Sequence, residues 1–428
     1  MKHVVILGAG ISGLAAGWFL KQKYPSLAIT ILEKSSRCGG WIQTMKSEEF
    51  LFELGPRSCR PSQCTLKLIQ DLHIESEVLT GHPQANRRYL YRHQTLQAMP
   101  TSLASLLKSS LFPMILKGAT KDLFARRSDQ EDETIESFVS RRLGAQIANE
   151  LFDPLTSGIY AGDIKQLSMK ACFPQIYQWE NTNRSLIKGA LLSKKRQEPM
   201  TPFEQQVSKG ALFSFKKGMQ TLTDTLANRL ERSIWLDTSV HSLPFDKADH
   251  VISALPAQAI GNLLSKEHPE VAQLLNTFRS QSVTVVNLGY RKPVLNREGF
   301  GYLIPSLENE EILGVVFDSS VFPDQSTGTR LTVMIRGQVN NPVDVAMRSL
   351  NKHLKIETTP DVYHVHKAQH AIPQYLVGHL DKVSKIQELI KEKQLPLSLL
   401  GSTFKGVSVN DCIANAYQLV SNFNLQIS

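Results

Sequence analysis

The sequence lacks several features that mark common protein classes. Its 428 residues include only five cysteines and no Cys-x-x-Cys pair, which argues against a disulfide framework and against a zinc ribbon. No apolar run reaches the roughly 20 residues that a membrane-spanning helix needs. There is also no His-Glu-x-x-His, Walker A or Gly-x-Ser-x-Gly motif. The sequence therefore offers no familiar signature of a metalloprotease, a P-loop enzyme or a serine hydrolase.

The composition is that of a globular protein with an excess of positive charge. Hydrophobic residues make up 42% and charged residues 20%, and 48 Lys and Arg face 39 Asp and Glu, a net charge of +9. Such a charge favours an anionic ligand or surface. Nucleic acid is not expected as a partner, because the basic residues form dispersed groups with no aromatic stacking motif between them. These groups are Arg87-Arg88, Arg126-Arg127, Arg141-Arg142 and Lys194-Lys195-Arg196.

The first 33 residues carry a glycine-rich pattern between two apolar segments. Residues 2–7 form a short apolar run typical of a buried parallel strand, residues 14–23 have the pattern of a helix, and residues 28–32 predict a second strand. Gly8, Gly10 and Gly13 stand between the first strand and the helix, and Glu33 follows the second strand. Strand, glycine turn, helix, strand and acid together are the fingerprint of dinucleotide binding.

Each part of this fingerprint has a physical reason. The first glycine permits a tight turn, the second lets the backbone approach a pyrophosphate, and the third allows the helix to pack closely on the strand. The free N–H groups of the helix N-terminus favour the phosphates, and the acid accepts a hydrogen bond from a ribose hydroxyl. The predicted cofactor-binding residues here are Gly8, Ala9, Gly10, Ile11, Ser12, Gly13 and Glu33.

Two further segments extend the nucleotide site. Arg37 precedes the sequence Gly39-Gly40-Trp41, and Gly55-Pro56-Arg57-Ser58 contains a rigid turn. With these residues the chain resembles FAD enzymes of the amine oxidase and protoporphyrinogen oxidase superfamily, whereas NAD dehydrogenases do not need these segments. The resemblance implies FAD as the cofactor. It adds, as cofactor-binding residues, Lys34, Arg37, Gly40, Trp41, Gly55, Pro56, Arg57, Ser58, Val240, Val407, Ser408 and Val409.

Within this superfamily the sequence is similar to the protoporphyrinogen oxidase family. The similarity rests on an ordered set of segments along the chain, above all FELGPR at 52–57, GIYAGD at 158–163 and GVSVNDCI at 406–413. It implies an α/β fold in which an FAD-binding Rossmann-like domain carries an inserted α+β substrate domain and a mainly helical membrane-binding domain. The expected boundaries are 1–81, 206–270 and 395–428 for the FAD domain, 82–205 for the membrane-binding domain and 271–394 for the substrate domain.

The resemblance also implies a reaction. Protoporphyrinogen IX would be oxidised to protoporphyrin IX by dioxygen in haem biosynthesis, with six electrons removed in three two-electron steps that give hydrogen peroxide. The substrate is an apolar macrocycle with carboxylate tails, so it needs apolar walls and one or two cations. Arg87 matches the family arginine that pairs with a propionate, while Ser157 stands where some relatives carry an arginine. The expected pocket residues are Leu155, Gly158, Phe300, Leu303 and Met334.

The middle of the chain predicts contact with a membrane surface. Residues 82–205 hold 17 Lys and Arg against 12 Asp and Glu, and apolar residues recur at helical spacing from Leu103 to Leu116, with Pro113 expected to break the helix. The pattern resembles helices that lie on a bilayer, although an ordinary packed helical layer gives the same stripe. The family resemblance favours an anionic membrane as a partner and a cytoplasmic protein peripherally associated with the cell membrane. A haem-pathway enzyme partner and a homodimer are left open.

Three smaller expectations concern local structure. Residues 410–423 predict a helix with Asn410 or Asp411 as N-cap, whose N-terminus would stabilise negative charge on a reduced flavin. Residues 235–243 predict a strand that contains Val240. His364, His366 and His370 are interpreted as solvated side chains on a strand, so no metal site is predicted.

Three alternatives remain at this stage. A coproporphyrinogen III oxidase would share the fold and chemistry, but its substrate carries four propionates and calls for more cations around the pocket. A flavin amine oxidase or carotenoid desaturase is a second alternative, although no paired aromatic residues that could form an amine-binding cage are found in the C-terminal strand. The third is an FAD-binding scaffold without turnover.

Overall fold

The computed structural model describes residues 2–193 and 199–424, so the basic group at 194–196 lies outside the described residues. The chain divides into two compact units. Unit 1 comprises the described residues of Met1–Thr80, Pro202–Arg279 and Leu380–Ser428, and unit 2 those of Gly81–Thr201 and Ser280–His379. Three segments far apart in the sequence thus build unit 1, and two build unit 2.

A five-stranded parallel sheet forms the centre of unit 1. Its strands lie in the order Leu397–Leu399, His250–Ser253, His3–Leu7, Ala28–Leu32 and Ile234–Trp235. The apolar residues of the central strand are fully buried, as expected for a parallel strand covered on both faces. Two small antiparallel pairs join Thr44–Ser47 to Phe50–Glu53 and Val78–Thr80 to Phe213–Phe215.

Helices cover the parallel sheet of unit 1. Helix Ile11–Lys23 packs on helix Val409–Ser421, and a β-carbon at Gly17 would lie 2.9 Å from the Ile31 Cδ1 atom, so a small residue is needed there. The helices of unit 1 are Ile11–Lys23, Gln63–Asp71, Pro202–Ser208, Gln220–Arg229, Ala257–Leu264, Pro269–Leu275, His379–Glu392 (from Leu380 on) and Val409–Ser421, with short 3₁₀ turns at Glu75–Glu77 and Glu231–Ser233.

Unit 2 contains a seven-stranded mixed sheet. Its strands lie in the order Val362–Gln374, Arg279–Tyr290 (from Ser280 on), Thr329–Arg336, Gly314–Val316, Gly301–Leu303, Arg88–Arg92 and Thr95–Ala98. Gly301–Leu303 pairs in parallel with Arg88–Arg92, and Thr329–Arg336 is antiparallel to both of its neighbours. Helix Pro342–Leu354 packs its apolar side chains on one face of this sheet, where Leu331, Val333 and Ile335 belong to the core.

The remaining helices of unit 2 form a helical layer. They are Leu103–Leu107, Phe112–Phe124, Ile135–Leu143, Ala145–Ile147, Asp153–Tyr160, Met169–Cys172, Pro174–Asn183, Leu186–Leu192 and Asp318–Val321, with a π-helical turn at Ala148–Phe152 and 3₁₀ turns at Pro83–Asn86, Ser306–Glu308 and Pro323–Gln325. Within the part of the chain that the structure describes, no helix combines the length and the apolar character needed to cross a membrane.

A buried ion pair fixes part of this helical layer. The Arg142 guanidinium donates through Nε to Asp122 Oδ1 over 2.8 Å, and Asp122 Oδ2 accepts from Ser185 Oγ at 2.6 Å and from the Ile187 N–H at 3.1 Å. Arg142 and Asp122 are both fully buried. Because the carboxylate is satisfied from three directions, it joins the helices Phe112–Phe124, Ile135–Leu143 and Leu186–Leu192.

Three local predictions were wrong in detail. The strand predicted for 235–243 ends at Trp235, because Asp237 adopts a left-handed conformation with φ of 51°, and Val240 therefore lies outside the sheet. Pro113 does not break a helix but stands in the first turn of Phe112–Phe124, where its missing N–H costs nothing. The C-terminal helix begins at Val409, because Ser408, and neither Asn410 nor Asp411, is its N-cap.

Candidate functional site

In the glycine turn of unit 1, two positions require glycine, and a third has space beside it. Gly8 has φ of +96°, which an L side chain rarely adopts. A β-carbon at Gly13 would lie 2.0 Å from the Gly8 carbonyl oxygen, so only glycine lets helix and turn meet there. At Gly10 the nearest atom to such a β-carbon is Gly40 Cα, at 3.8 Å. The side of Gly10 that a side chain would occupy is therefore open to a ligand.

The helix that follows the turn presents free N–H groups. Gly10 is the N-cap of helix Ile11–Lys23 and supplies no side-chain cap, and the first turn contains no acidic residue. The first helical hydrogen bond runs from the Leu14 N–H to the Gly10 carbonyl oxygen at 3.0 Å. The preceding amides lack helical acceptors, so the positive end of the helix dipole is available to an anion.

Glu33 is fixed at the end of the second strand beside this turn. Its Oε2 accepts from the Ala9 N–H at 2.8 Å, and its Oε1 accepts from the Ser35 N–H at 3.0 Å and the Ser35 hydroxyl at 2.8 Å. An ionised carboxylate offers about four acceptor positions. Three are used by the protein, which leaves capacity for one hydroxyl donor, as a ribose requires.

A second loop closes on the glycine turn. The Gly39 N–H donates to the Ala9 carbonyl at 2.8 Å, and a β-carbon at Gly40 would lie 3.1 Å from Gly10 Cα. The Arg37 guanidinium donates to the carbonyl oxygens of Cys38 and Gly40 at 2.9 and 2.5 Å. Arg37 therefore fixes the backbone of the second loop against the first.

The segment around Gly55 packs on the same loop. A β-carbon at Gly55 would lie 1.9 Å from the Trp41 carbonyl oxygen, so glycine is needed for this approach. Trp41 itself is 43% exposed. Lys34 is exposed, and Pro56, Arg57 and Ser58 are half-buried.

Glu53, the glutamate of the FELGPR segment, has a role that the sequence analysis missed. Its Oε1 accepts from the Met219 N–H at 2.7 Å and its Oε2 from the Thr44 hydroxyl at 2.8 Å. Glu53 thus satisfies the N-terminus of helix Gln220–Arg229 from a distant part of the chain. Gly218, with φ of +88°, brings the chain into that helix, and a β-carbon there would lie 2.3 Å from Thr44 Cγ2.

The C-terminal helix begins beside the carboxyl ends of the parallel strands. Ser408 and Asp411 form a capping box in which the Ser408 hydroxyl accepts from the Asp411 N–H at 3.1 Å and the Asp411 carboxylate accepts from the Ser408 N–H at 3.1 Å. Asn410 donates to the Arg60 carbonyl at 2.9 Å. Val409 is buried, Val407 is half-buried and Ser408 is exposed.

The strand ends themselves form a crevice. The Ala254 N–H donates to the Leu7 carbonyl at 2.9 Å and the Leu400 N–H to the Ser253 carbonyl at 2.8 Å, so three neighbouring strands end together near Gly8. Ligands of parallel α/β sheets bind at this edge. Val240 is half-buried against the apolar cluster that contains Leu7, and the Thr238 N–H two residues before it donates to the Glu33 carbonyl oxygen at 2.8 Å.

The thiols near the predicted cofactor site are unsuited to nucleophilic catalysis. Burial raises the pKa of Cys412, and burial together with the Glu33 and Asp224 charges raises the pKa of Cys38. Both thiols therefore stay protonated at neutral pH. All five cysteines are free.

Unit 2 brings four of the six predicted pocket residues together. Leu303 pairs with Gly314, which in turn pairs with Met334, so Leu303 and Met334 lie on one face of the sheet with Gly314, which has no side chain, between them. A β-carbon at Gly158 would lie 2.7 Å from a Leu303 methyl group, which places helix Asp153–Tyr160, with Leu155, against the same face. We call Leu155, Gly158, Leu303 and Met334 the apolar floor.

Arg87 and Phe300 lie at the start of the neighbouring strand pair. The Phe300 N–H donates to the Arg87 carbonyl at 2.8 Å, and the exposed Arg87 side chain lines a cavity of about 790 Å³ together with His82, Tyr89 and Arg297. Tyr89 belongs to the side of the sheet that packs on the core under helix Pro342–Leu354. The structure thus groups the Arg87 side chain with this cavity.

Arg88, which the sequence analysis did not single out for the pocket, shares a sheet face with the apolar floor. Arg88 pairs with Gly301 and Leu90 with Leu303, and alternation along a strand puts residues 88 and 90 on the same face. The Arg88 guanidinium carbon lies 5.5 Å from the centroid of the Phe300 ring. The alternation of Tyr89 and Tyr91 with Arg88 and Leu90 was the signal that could have identified it.

The three histidines of the sequence analysis lie on strand Val362–Gln374. His364 and His366 are half-buried, and His370 is exposed with a left-handed φ of 51°. Among the residues that the structure describes, no group of three or more His, Cys, Asp or Glu could hold a metal ion.

The parallel sheet, the glycine turn, the uncapped helix N-terminus and Glu33 define unit 1 as a Rossmann-type dinucleotide-binding fold. A sequence profile of the flavin containing amine oxidoreductase family matches residues 11–382, so the chain belongs to this family. It is an FAD-dependent oxidoreductase with a mixed α/β fold. FAD fits the site because the open side of Gly10 and the free helix amides form a cradle for its pyrophosphate.

Known relatives place the chain more narrowly, among the protoporphyrinogen oxidases. The proteins of that name from Bos taurus and Homo sapiens are each 35% identical to it over 464 residues, which cover 97% of this chain and 97% of theirs. The coproporphyrinogen III oxidase of Bacillus subtilis is 30% identical over 98% of this chain. A crystal structure from Exiguobacterium sp. 255-15, provisionally named a protoporphyrinogen oxidase, has the same fold, with a TM-score of 0.83 at 23% identity over 98% of both chains.

Proposed function

We propose that this chain oxidises protoporphyrinogen IX to protoporphyrin IX in haem biosynthesis, with FAD as cofactor and dioxygen as the final oxidant. FAD supplies the two-electron acceptor, and three rounds give one porphyrin and three molecules of hydrogen peroxide. The observation that carries the proposal is the apolar floor of unit 2 with a guanidinium on the same sheet face. An apolar macrocycle with carboxylate tails needs that combination.

We assign the cofactor residues of unit 1 by what each group can bind. The amides after Gly10 bind the pyrophosphate, and Glu33 accepts a hydrogen bond from a ribose hydroxyl. Arg37 acts through the loop carbonyls that it holds, so it positions Gly39 and Gly40 around the cofactor. Val407, Ser408 and Val409 lead into the C-terminal helix and are assigned to the cofactor ring, although the Asp411 carboxylate in the first turn of that helix offsets part of its favourable dipole.

The chain's part in the chemistry is to bind and orient the substrate. Imine–enamine tautomerisation can move protons between the oxidation steps without a strong dedicated base, which fits a floor formed by apolar residues. A guanidinium pairs well with a carboxylate because its N–H groups match both oxygens. Because Arg88 lies over Phe300 on the face of the floor, we assign it the role of propionate-binding residue that the resemblance gave to Arg87.

Paired variants test this assignment. Arg88→Ala is expected to raise KM for protoporphyrinogen IX about tenfold, roughly the contribution of one charged hydrogen-bonded pair. Flavin absorbance per mole of protein should stay at the wild-type value, because the residue lies in unit 2. Arg87→Ala is the matched control and should change KM less than twofold. If Arg87→Ala gives the larger effect, the assignment is wrong.

The proposed domain boundaries assign cofactor binding, substrate binding and membrane binding to different parts of the chain. We propose that residues 1–81, 206–270 and 395–428 form the FAD domain, that 271–394 form the substrate domain and that 82–205 bind membranes. The strongest support for the last role is a group of exposed apolar side chains on helices of unit 2. Leu103 is 81%, Phe124 86% and Leu191 80% exposed, which is costly in water unless a surface covers them.

We further propose that an anionic membrane is that surface, with the protein peripherally bound on the cytoplasmic side. Lys117, Arg126 and Lys188 lie on or directly after the same helices, and cations beside apolar anchors are typical of interfacial helices. Phe124→Ser combined with Leu191→Ser should release the protein from vesicles that contain anionic lipid at low salt. Ile159→Ser, an exposed apolar residue on another helix, is the control. If the wild-type protein fails to float with such vesicles, the membrane proposal is wrong.

A further inference from the structure

Arg336 is a second arginine at the edge of the apolar floor, and neither the sequence analysis nor the family resemblance gave it a role. It is the last residue of strand Thr329–Arg336, two positions after Met334. Side chains two apart on a strand point to the same face, and Ile335 between them is buried in the core on the other face. Arg336 therefore stands on the face of the floor, and its side chain is exposed at the strand end.

The guanidinium of Arg336 is only partly used by the protein. Its Nη2 lies 3.3 Å from the Ser157 hydroxyl and 3.4 Å from the Gly162 carbonyl oxygen, both near the outer limit of a hydrogen bond. Within the residues described, these are its hydrogen bonds, and they leave Nε and Nη1 to solvent or a ligand. Ser157 belongs to the floor helix Asp153–Tyr160, so the guanidinium lies over that helix.

Two nearby carboxylates are engaged elsewhere. Asp153 accepts from the Ser306 N–H at 2.6 Å and the Ser306 hydroxyl at 3.0 Å, and Asp163 accepts from the Lys165 N–H at 2.9 Å. These acids and Arg336 line a cavity of about 320 Å³, yet in the described residues neither acid forms an ion pair with Arg336. The Nη1 group of Arg336 is therefore still able to donate a charge-assisted hydrogen bond to a carboxylate supplied by a ligand.

Arg336 and Arg88 lie at opposite ends of one sheet face. Across the sheet, Arg88 pairs with Gly301, Gly301 with Val316, and Val316 with Thr332. Arg336 lies four residues beyond Thr332 on the same strand. Three strand spacings give about 14 Å and four residues about 13 Å, so the two Cα atoms are about 19–20 Å apart in a flat sheet. Each arginine side chain extends several ångströms from its Cα atom, so from these two positions the guanidinium groups can reach carboxylates on opposite sides of one tetrapyrrole.

The distribution of carboxylates differs between the two candidate substrates. Protoporphyrinogen IX carries two propionates on neighbouring pyrroles, whereas coproporphyrinogen III carries one on each of its four. A single cation suffices for the first substrate, but the second presents carboxylates on both sides of the ring. We propose that Arg336 binds a propionate on the side of the macrocycle away from Arg88 and thereby allows this chain to accept coproporphyrinogen III as well as protoporphyrinogen IX. The proposal rests on the proposed function.

The test compares both porphyrinogens with the FAD-loaded protein. Arg336→Ala should lower kcat/KM for coproporphyrinogen III about tenfold, through KM, and change kcat/KM for protoporphyrinogen IX less than twofold. Arg336→Lys should restore part of the loss, because it keeps the charge without the planar fork. Arg348→Ala removes the same charge from helix Pro342–Leu354, where Arg348 pairs with Glu311 at 3.0 Å, and should change neither value.

The outcomes separate the inference from the function on which it rests. Equal loss for both substrates, or no loss for either, would overturn the role of Arg336 while leaving porphyrinogen oxidation in place. Failure of the wild-type protein to oxidise coproporphyrinogen III while it oxidises protoporphyrinogen IX would also overturn it. If the wild-type protein oxidises neither, the proposed function itself fails. In that case, the affinities of wild type and Arg336→Ala for the two porphyrin products, measured by quenching of porphyrin fluorescence, still show whether Arg336 distinguishes four carboxylates from two.

Discussion

Replacing Gly10 by alanine tests whether glycine is required at this position for protein stability or for FAD binding. Gly10 has φ of −71° and ψ of 175°, a conformation open to any L residue. Its β-carbon would meet no atom closer than 3.8 Å. Alanine lowers the conformational entropy of the unfolded chain, which stabilises the fold, but it is a poorer N-cap than glycine, which destabilises it. Because these effects offset each other, the free energy of unfolding of the FAD-free protein should change by less than about 1 kcal/mol.

The same methyl group should weaken FAD binding strongly. It stands on the side of the turn where the free helix amides meet the pyrophosphate, and forcing a methyl group into a close contact costs about 1–3 kcal/mol. We therefore expect Kd for FAD to rise by about one to two powers of ten. Kd is measured by quenching of flavin fluorescence and stability by urea unfolding of the FAD-free protein.

Gly13→Ala is the matched control for this prediction. Its β-carbon would lie 2.0 Å from the Gly8 carbonyl oxygen, so this variant should lose about 3 kcal/mol or more of stability without FAD. Wild-type FAD affinity in Gly10→Ala, or a loss of stability equal to that of Gly13→Ala, would refute the reasoning.

Three further predictions concern stability. Burial lowers the pKa of His250 from 6.5 to about 4, so between these pH values the unfolded chain binds more protons than the folded one. The free energy of unfolding should therefore fall as the pH drops from 6.5 to 4, and it should fall less in His250→Gln. Urea titrations at each pH measure this difference. Ser408→Ala should cost about 0.5–2 kcal/mol by removing the capping box, whereas Ser408→Thr should keep most of it, as measured by chemical denaturation. Asp122→Ala leaves the buried Arg142 with the longer ion pair to Glu180 at 3.4 Å and should cost about 3 kcal/mol in thermal unfolding, with the FAD content unchanged because these residues lie in unit 2.

Local chemistry made the cofactor turn predictable from sequence. Gly8, Gly10 and Gly13 act within a few residues of one another, and the strand and helix that flank them have clear periodicity. Their spacing in the sequence therefore predicts the geometry of the turn almost completely. The capping box at Ser408 was equally local, yet two other polar residues in the same turn, Asn410 and Asp411, obscured which one caps the helix.

Long-range contacts explain what the sequence could not reveal. Glu53 reaches the N-terminus of helix Gln220–Arg229 across 166 positions, and no sequence spacing records that. The choice between Arg87 and Arg88 depends on the register with Gly301, which one residue of shift reverses. Arg336 went unnoticed because only the folded sheet brings it beside Ser157.

Aerobic turnover of the purified, FAD-loaded protein with protoporphyrinogen IX tests the central claim most directly. Porphyrin fluorescence and hydrogen peroxide are followed together, against the same protein without FAD. The account predicts FAD-dependent formation of protoporphyrin IX with three molecules of peroxide for each porphyrin. A protein that binds FAD but forms neither porphyrin nor peroxide above the FAD-free control would contradict it.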